Sequence, residues 1–191
     1  LPFDATYVTD WNAFDFHMYT LQPANQKTYN FQSTPWGGVC TIPQYISSFD
    51  KDDERLANCF IKGQQYDSSG NPLNCTMGDM AGKPLNYVND VPSIDASQET
   101  SGYRWGKFEY AKGITNRLSN DFPILRYADV LLMKAEALLR LGKSDEAADL
   151  VTQVRQRDFT DHPEKAVVTG DQLNGPCVYD YGRRDTEKTT H

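Results

Sequence analysis

Between Tyr127 and Leu141 nearly every position is apolar: Ala128, Val130, Leu131, Leu132, Ala135, Ala137, Leu138 and Leu139. Arg126, Asp129, Met133, Glu136 and Arg140 stand three and four residues apart, so they share one stripe of a helix. That stripe is polar except for Met133. A helix with so narrow a polar stripe has to be covered on more than one side. Glu136 precedes Arg140 by four residues, the favoured order for a supporting ion pair. Gly142 predicts the stop, because glycine takes the left-handed cap without strain. Ser144 is then a good N-cap, with Asp145 and Glu146 in the first turn of a second helix. Ala147, Leu150, Val151 and Val154 repeat at helical spacing, and Arg155 and Arg157 suit the C-terminal end. So short a connection makes the two helices antiparallel neighbours.

The rest of the pattern is different. Helical periodicity is weak over the first 50 residues, where Asn, Gln, Thr and Ser are mixed with aromatics. Long ordered loops and short strands are expected there. Asn58 to Met77 reads as a β-hairpin, with the turn formers Asp67 to Pro72 between the flanks Cys59-Phe60-Ile61 and Leu73-Asn74-Cys75. Lys83 to Gly113 carries Pro, Asn, Asp and Gly throughout and reads as a long excursion. The division is therefore a loop-rich, aromatic-rich segment over 1–115, a helical hairpin over 116–160 and a linker over 161–191. The fold class is mainly α with irregular loops and short strands, an α+β arrangement dominated by its helical scaffold.

A length of 191 residues permits one domain with a core of ordinary size. The net charge of −7 gives no support to a nucleic-acid partner. No apolar run is long enough to span a bilayer. Cys40, Cys59, Cys75 and Cys177 are widely separated, and His17, His162 and His191 are scattered, which argues against structural zinc. A Cys59–Cys75 disulfide would suit an exported protein, with buried free thiols as the alternative. Asp50, Asp52, Asp53 and Glu54 form an acidic run without the spacing of a calcium loop, and they read as a solvated face. No cofactor is implied. No nucleophile elbow and no Gly-rich phosphate loop is present. The chain is not expected to be an enzyme.

What remains is a surface for binding. Of the 23 aromatic residues (3 Trp, 11 Tyr, 9 Phe), 11 lie in the first 50 positions, beside amides. That mixture suits sugars. The C–H face of a pyranose stacks on an indole or phenol ring, while Asn and Gln bond its hydroxyls. Loops are where such residues are placed. The candidate glycan platform is Trp11, Tyr19 and Trp36, with Asn12 and Gln22 as polar partners. Most other aromatics, Trp105 among them, are expected in the core.

Several stretches share a wording. They are Phe122 to Phe159, the run TPWGGVCTIPQYISSFDKDDER from Thr34 to Arg55, and Gly106, Lys107 and Asn120-Asp121-Phe122-Pro123. Together they resemble the SusD/RagB family of surface glycan-binding lipoproteins. The helical hairpin resembles one tetratricopeptide repeat, and a lone repeat cannot bury both of its faces. Asp53 and Arg55 resemble the family's Asp-x-Arg pair, expected to be an ion pair that fixes a loop. Gly182-Arg183-Arg184-Asp185 is like a motif of the family's final helices but lacks its Leu. The resemblance implies a lipoprotein on the outer leaflet of a Bacteroidota outer membrane. It implies capture of oligosaccharides and delivery to a SusC-like TonB-dependent transporter. Calcium is bound by some members, though no motif here carries such a site. On this reading the chain is the middle to C-terminal part of a longer protein, and membrane attachment would be through an N-terminal lipid outside it. The rival readings are a RagB-like peptide-binding lid and a tetratricopeptide adaptor for partner proteins.

Overall fold

In the computed structural model, residues 14–93, 95–114, 117–118, 120 and 123–177 are described. They fall into two compact units, one drawn from within 14–49 and 58–120, the other from 50–57 and 123–177.

The first unit is loop-rich. Its helices are short: α1 (Phe16–Thr20), α2 (Gln26–Tyr29) and α3 (Pro43–Ser47). Pro43 opens α3, where a missing N–H costs nothing. Four two-residue strands make two antiparallel pairs. β1 (Phe60–Ile61) lies beside β4 (Arg104–Trp105), with Phe60 opposite Trp105. β2 (Gly63–Gln64) lies beside β3 (Asn86–Tyr87), with Gly63 opposite Tyr87.

The turn expected within 58–77 is present, but it is smaller than the reading of its flanks. Tyr66 and Pro72 form an antiparallel bridge. Asp67 N–H donates to the Asn71 carbonyl, and Asp67 Oδ1 accepts from the amides of Ser69 and Asn71. Phe60–Ile61 does not pair with Leu73–Cys75; it pairs with Arg104–Trp105. Gly63, at φ 74°, follows that pairing by two residues and starts the next.

Two apolar clusters hold the unit. One joins Phe14, Leu21, Phe31, Tyr110 and Leu118, and the other joins Ala24, Leu73, Cys75, Leu85 and Tyr87. The second cluster explains why Cys75 is not in a disulfide with Cys59. Both are free thiols, and Cys75 Sγ is packed among Leu73, Leu85 and Tyr87, directed at the Pro84 carbonyl. Burial pushes the Cys75 thiol up to about 11, with the Glu99 carboxylate adding to the rise.

The second unit carries the long helices. α4 (Glu54–Asn58) begins in it, and α5 (Tyr127–Arg140) and α6 (Ser144–Gln156) pack against each other. The end of α5 follows the sequence closely. Gly142 sits at φ 76°, its amide bonds the Leu139 carbonyl and the Lys143 amide bonds Leu138, a Schellman closure. Glu136 and Arg140 form the expected ion pair at 2.6 Å. Ser144 is the first helical residue, not a side-chain cap, because Lys143 takes the cap position.

Residues 161 onward, read as a linker, form α7 (Pro163–Ala166) and α8 (Gly170–Asn174), both packed on α6. Thr169 and Gln172 cap α8 reciprocally. The run Gly182 to Asp185 lies outside the described residues. Within the unit, α5 keeps much of its apolar surface open: Tyr127 is 71 % exposed and Met133 53 %. The molecule is thus mainly helical with short strands, as the pattern implied.

Candidate functional site

The Trp36 loop is fastened to α1 by main-chain bonds. Trp36 and Gly37 N–H both donate to the Met18 carbonyl, at 2.7 and 3.2 Å, and Val39 N–H donates to the Tyr19 carbonyl at 2.9 Å. Thr20 Oγ1 adds a bond to the Val39 carbonyl. The arrangement needs Gly37, which has φ 73°, and a Cβ there would come within 2.8 Å of Gln22 Oε1.

The consequence is an aromatic pair at the surface. Tyr19 and Trp36 meet edge to face with ring centroids 4.8 Å apart. They remain 46 % and 50 % exposed. Most other rings of this unit are turned inward. Phe14, Phe31 and Tyr110 belong to the core, and Trp105 is half-buried with its ring edge-on to Phe60. Large half-exposed rings held in one geometry are unusual in a core and suited to a ligand face.

Trp36 stands on the wall of a cavity of about 500 Å³. Gln22, Cys40, Asp79, Asp95, Glu99 and Arg104 are among its other lining residues. Gln22 is 4 % exposed, and its Oε1 has no hydrogen-bond partner. Arg104 is 2 % exposed. Its Nη1 donates to the Val39 carbonyl at 3.1 Å and its Nη2 to the Glu99 carbonyl at 2.8 Å, while Nε has no partner. The guanidinium also lies 4.9 Å from the Tyr87 ring centre. Burial pushes the Tyr87 hydroxyl well above its ordinary range, so it stays a neutral donor beside Asn25. The Glu99 carboxylate is engaged by Thr76 N–H at 2.7 Å, Thr76 Oγ1 at 2.9 Å and Met77 N–H at 3.2 Å.

Of the five candidates, Trp36 and Gln22 share the cavity, and Tyr19 backs Trp36 without lining it. Trp11 and Asn12 lie outside the described residues. Asp79, Asp95, Glu99 and Arg104 were not anticipated. They arrive from turns and from β4, far along the chain, and nothing in their local wording marks them.

The arrangement can hold a polar ligand against an indole ring. Among the described residues there is no group of three or more His, Cys, Asp or Glu side chains placed to hold a metal. In the second unit the acidic run is tied to cations: Asp50 and Asp52 to Lys165, and Asp53 to Arg55. Arg55 also reaches Asp158 at 3.5 Å, so the Asp53–Arg55 pair does fix a loop.

A family model described as the SusD family matches residues 3–172 of the chain. No curated protein and no solved structure gives a significant match.

Proposed function

Because this chain belongs to the SusD family, we propose that it captures oligosaccharides on the Trp36 face and cavity and passes them to a SusC-like TonB-dependent transporter. Members of the family are nutrient-binding surface proteins and not enzymes. Among the described residues no helix is long and apolar enough to cross a membrane, and the proposed attachment to the outer membrane is by lipid.

One observation carries the saccharide reading. Trp36, paired with the half-exposed Tyr19, stands on the wall of a cavity of about 500 Å³ that the buried Gln22 side chain also lines. A sugar ring supplies both complements at once. Its C–H face covers the indole, and a hydroxyl donates to Gln22. Affinity then comes from stacking and shape, needs no cofactor, and stays modest enough to let the cargo go.

The test is titration with a panel of neutral and acidic oligosaccharides, for the native chain and for Trp36→Ala. Losing the indole is expected to weaken the best ligand by about 1–2 kcal/mol, roughly 5- to 30-fold. A hit indifferent to Trp36 would move the site elsewhere. Binding of peptides with no saccharide bound would favour a RagB-like lid.

A further inference from the structure

The cavity also carries a charge pattern that bears on which saccharides it admits. Its lining holds three carboxylates, Asp79, Asp95 and Glu99, against the single guanidinium of Arg104. Asp79 and Asp95 are exposed, whereas Arg104 is almost fully buried. Two of the three Arg104 nitrogens are already given to the carbonyls of Val39 and Glu99. An arriving anion therefore meets two exposed carboxylates, and of the buried guanidinium only Nε is without a partner. Like charges a few ångströms apart cost free energy even when water screens them, and more in a recess.

Hydrogen bonding points the same way. Gln22 Oε1 lacks a donor and is buried beside the cavity, and Asp79 and Asp95 can only accept. At these three acceptors neutral sugar hydroxyls supply the missing donors. A uronate or sulfate group supplies none and adds acceptors.

Resting on the saccharide reading above, we propose that this site selects neutral oligosaccharides against uronic-acid and sulfated ones, with Asp79 and Asp95 as the residues that set the preference. The structure assigns them this role by position, since neither is tied to a cationic side chain in any ion pair among the described residues.

The experiment uses the 191-residue chain and matched ligands: malto-, cello-, manno- and galacto-oligosaccharides, each beside its C6-oxidised uronate form. Titration at low ionic strength is expected to show the bound neutral form favoured over its uronate by about tenfold or more, the gap closing at about 0.5 M salt. Asp79→Asn with Asp95→Asn is expected to shrink that gap to within about threefold. Asp149→Asn, a charge control that does not line the cavity, should leave it as it was. A uronate that binds as well as its neutral parent overturns the charge selection while the saccharide reading stands. A gap that survives the double substitution overturns the assignment to Asp79 and Asp95. If no member of either series binds to chain that is folded by circular dichroism, the saccharide reading fails and this inference fails with it.

Discussion

Gly37 shows what one residue does for the site. Its backbone lies in the left-handed region, and its missing Cβ leaves room for the Gln22 amide. Gly70 is the useful comparison. It has φ 87° but nothing within 4 Å of where a Cβ would stand. Gly70→Ala is expected to cost only the backbone strain, about 1 kcal/mol. Gly37→Ala carries that strain and a clash at 2.8 Å with Gln22 Oε1. It should lower the melting temperature more than Gly70→Ala and weaken saccharide binding, which Gly70→Ala should not. Thermal melts and titration of the two variants check both halves. Equal melting and equal binding would show that Gln22 moves aside freely. The sequence made Gly37-Gly38 legible as a place of special backbone. It also singled out Trp36, Tyr19 and Gln22 by type, because aromatics next to amides are a compositional signal. It could not show that Trp36 stays exposed while Phe31 is buried, since that depends on packing against Leu118 and Tyr110 from far along the chain.

At the scale of elements, local signals are legible in the sequence and distant pairings are not. The α5–α6 hairpin was legible from period, glycine stop and the Glu136–Arg140 pair, all contained within a few turns of chain. The pairing of β1 with β4 was not, because two-residue strands carry no alternation to read and their partners are far apart in sequence. The turn before α4 joins both kinds of evidence. Lys165 hydrogen bonds hold Asp50 and Asp52 below the ordinary carboxyl value, and Thr160 does the same for Glu54. For Asp53, burial pulls upward, but the bonds from Arg55 outweigh it and the net shift is downward. Carboxyls depressed in the fold add stability that is fully present above their unfolded values, 3.8 for Asp and 4.5 for Glu. That stability is lost as the pH falls through the folded values. The melting temperature is therefore expected to be level from about pH 7 to 5 and to drop below about pH 4. Lys165→Met should make the acid-side drop shallower, because Asp50 and Asp52 then titrate near their unfolded values. Melts across that range decide it, and an unchanged slope would mean that Lys165 does not hold these carboxyls in solution.

At the scale of the whole molecule, the narrow polar stripe of α5 has a consequence that the structure makes measurable. A helix apolar on so much of its circumference needs covering on more than one side, and α6 covers one. Among the described residues Leu125, Tyr127, Val130, Leu132 and Met133 remain 62 %, 71 %, 44 %, 42 % and 53 % exposed. Open apolar surface of this kind binds hydrophobic dyes and promotes self-association. The native chain should therefore raise the fluorescence of anilinonaphthalene sulfonate while keeping a cooperative melt, unlike a molten state. Leu132→Glu with Met133→Lys removes apolar area without adding net charge. It is expected to reduce the dye signal by about half or more and to sharpen the elution profile of concentrated chain, with little change in melting temperature because neither side chain is buried. A large fall in stability would show instead that these side chains are packed in solution. A dye signal that persists would place the open surface off α5. Either result separates a helix with one face left bare from one whose apolar stripe is already satisfied.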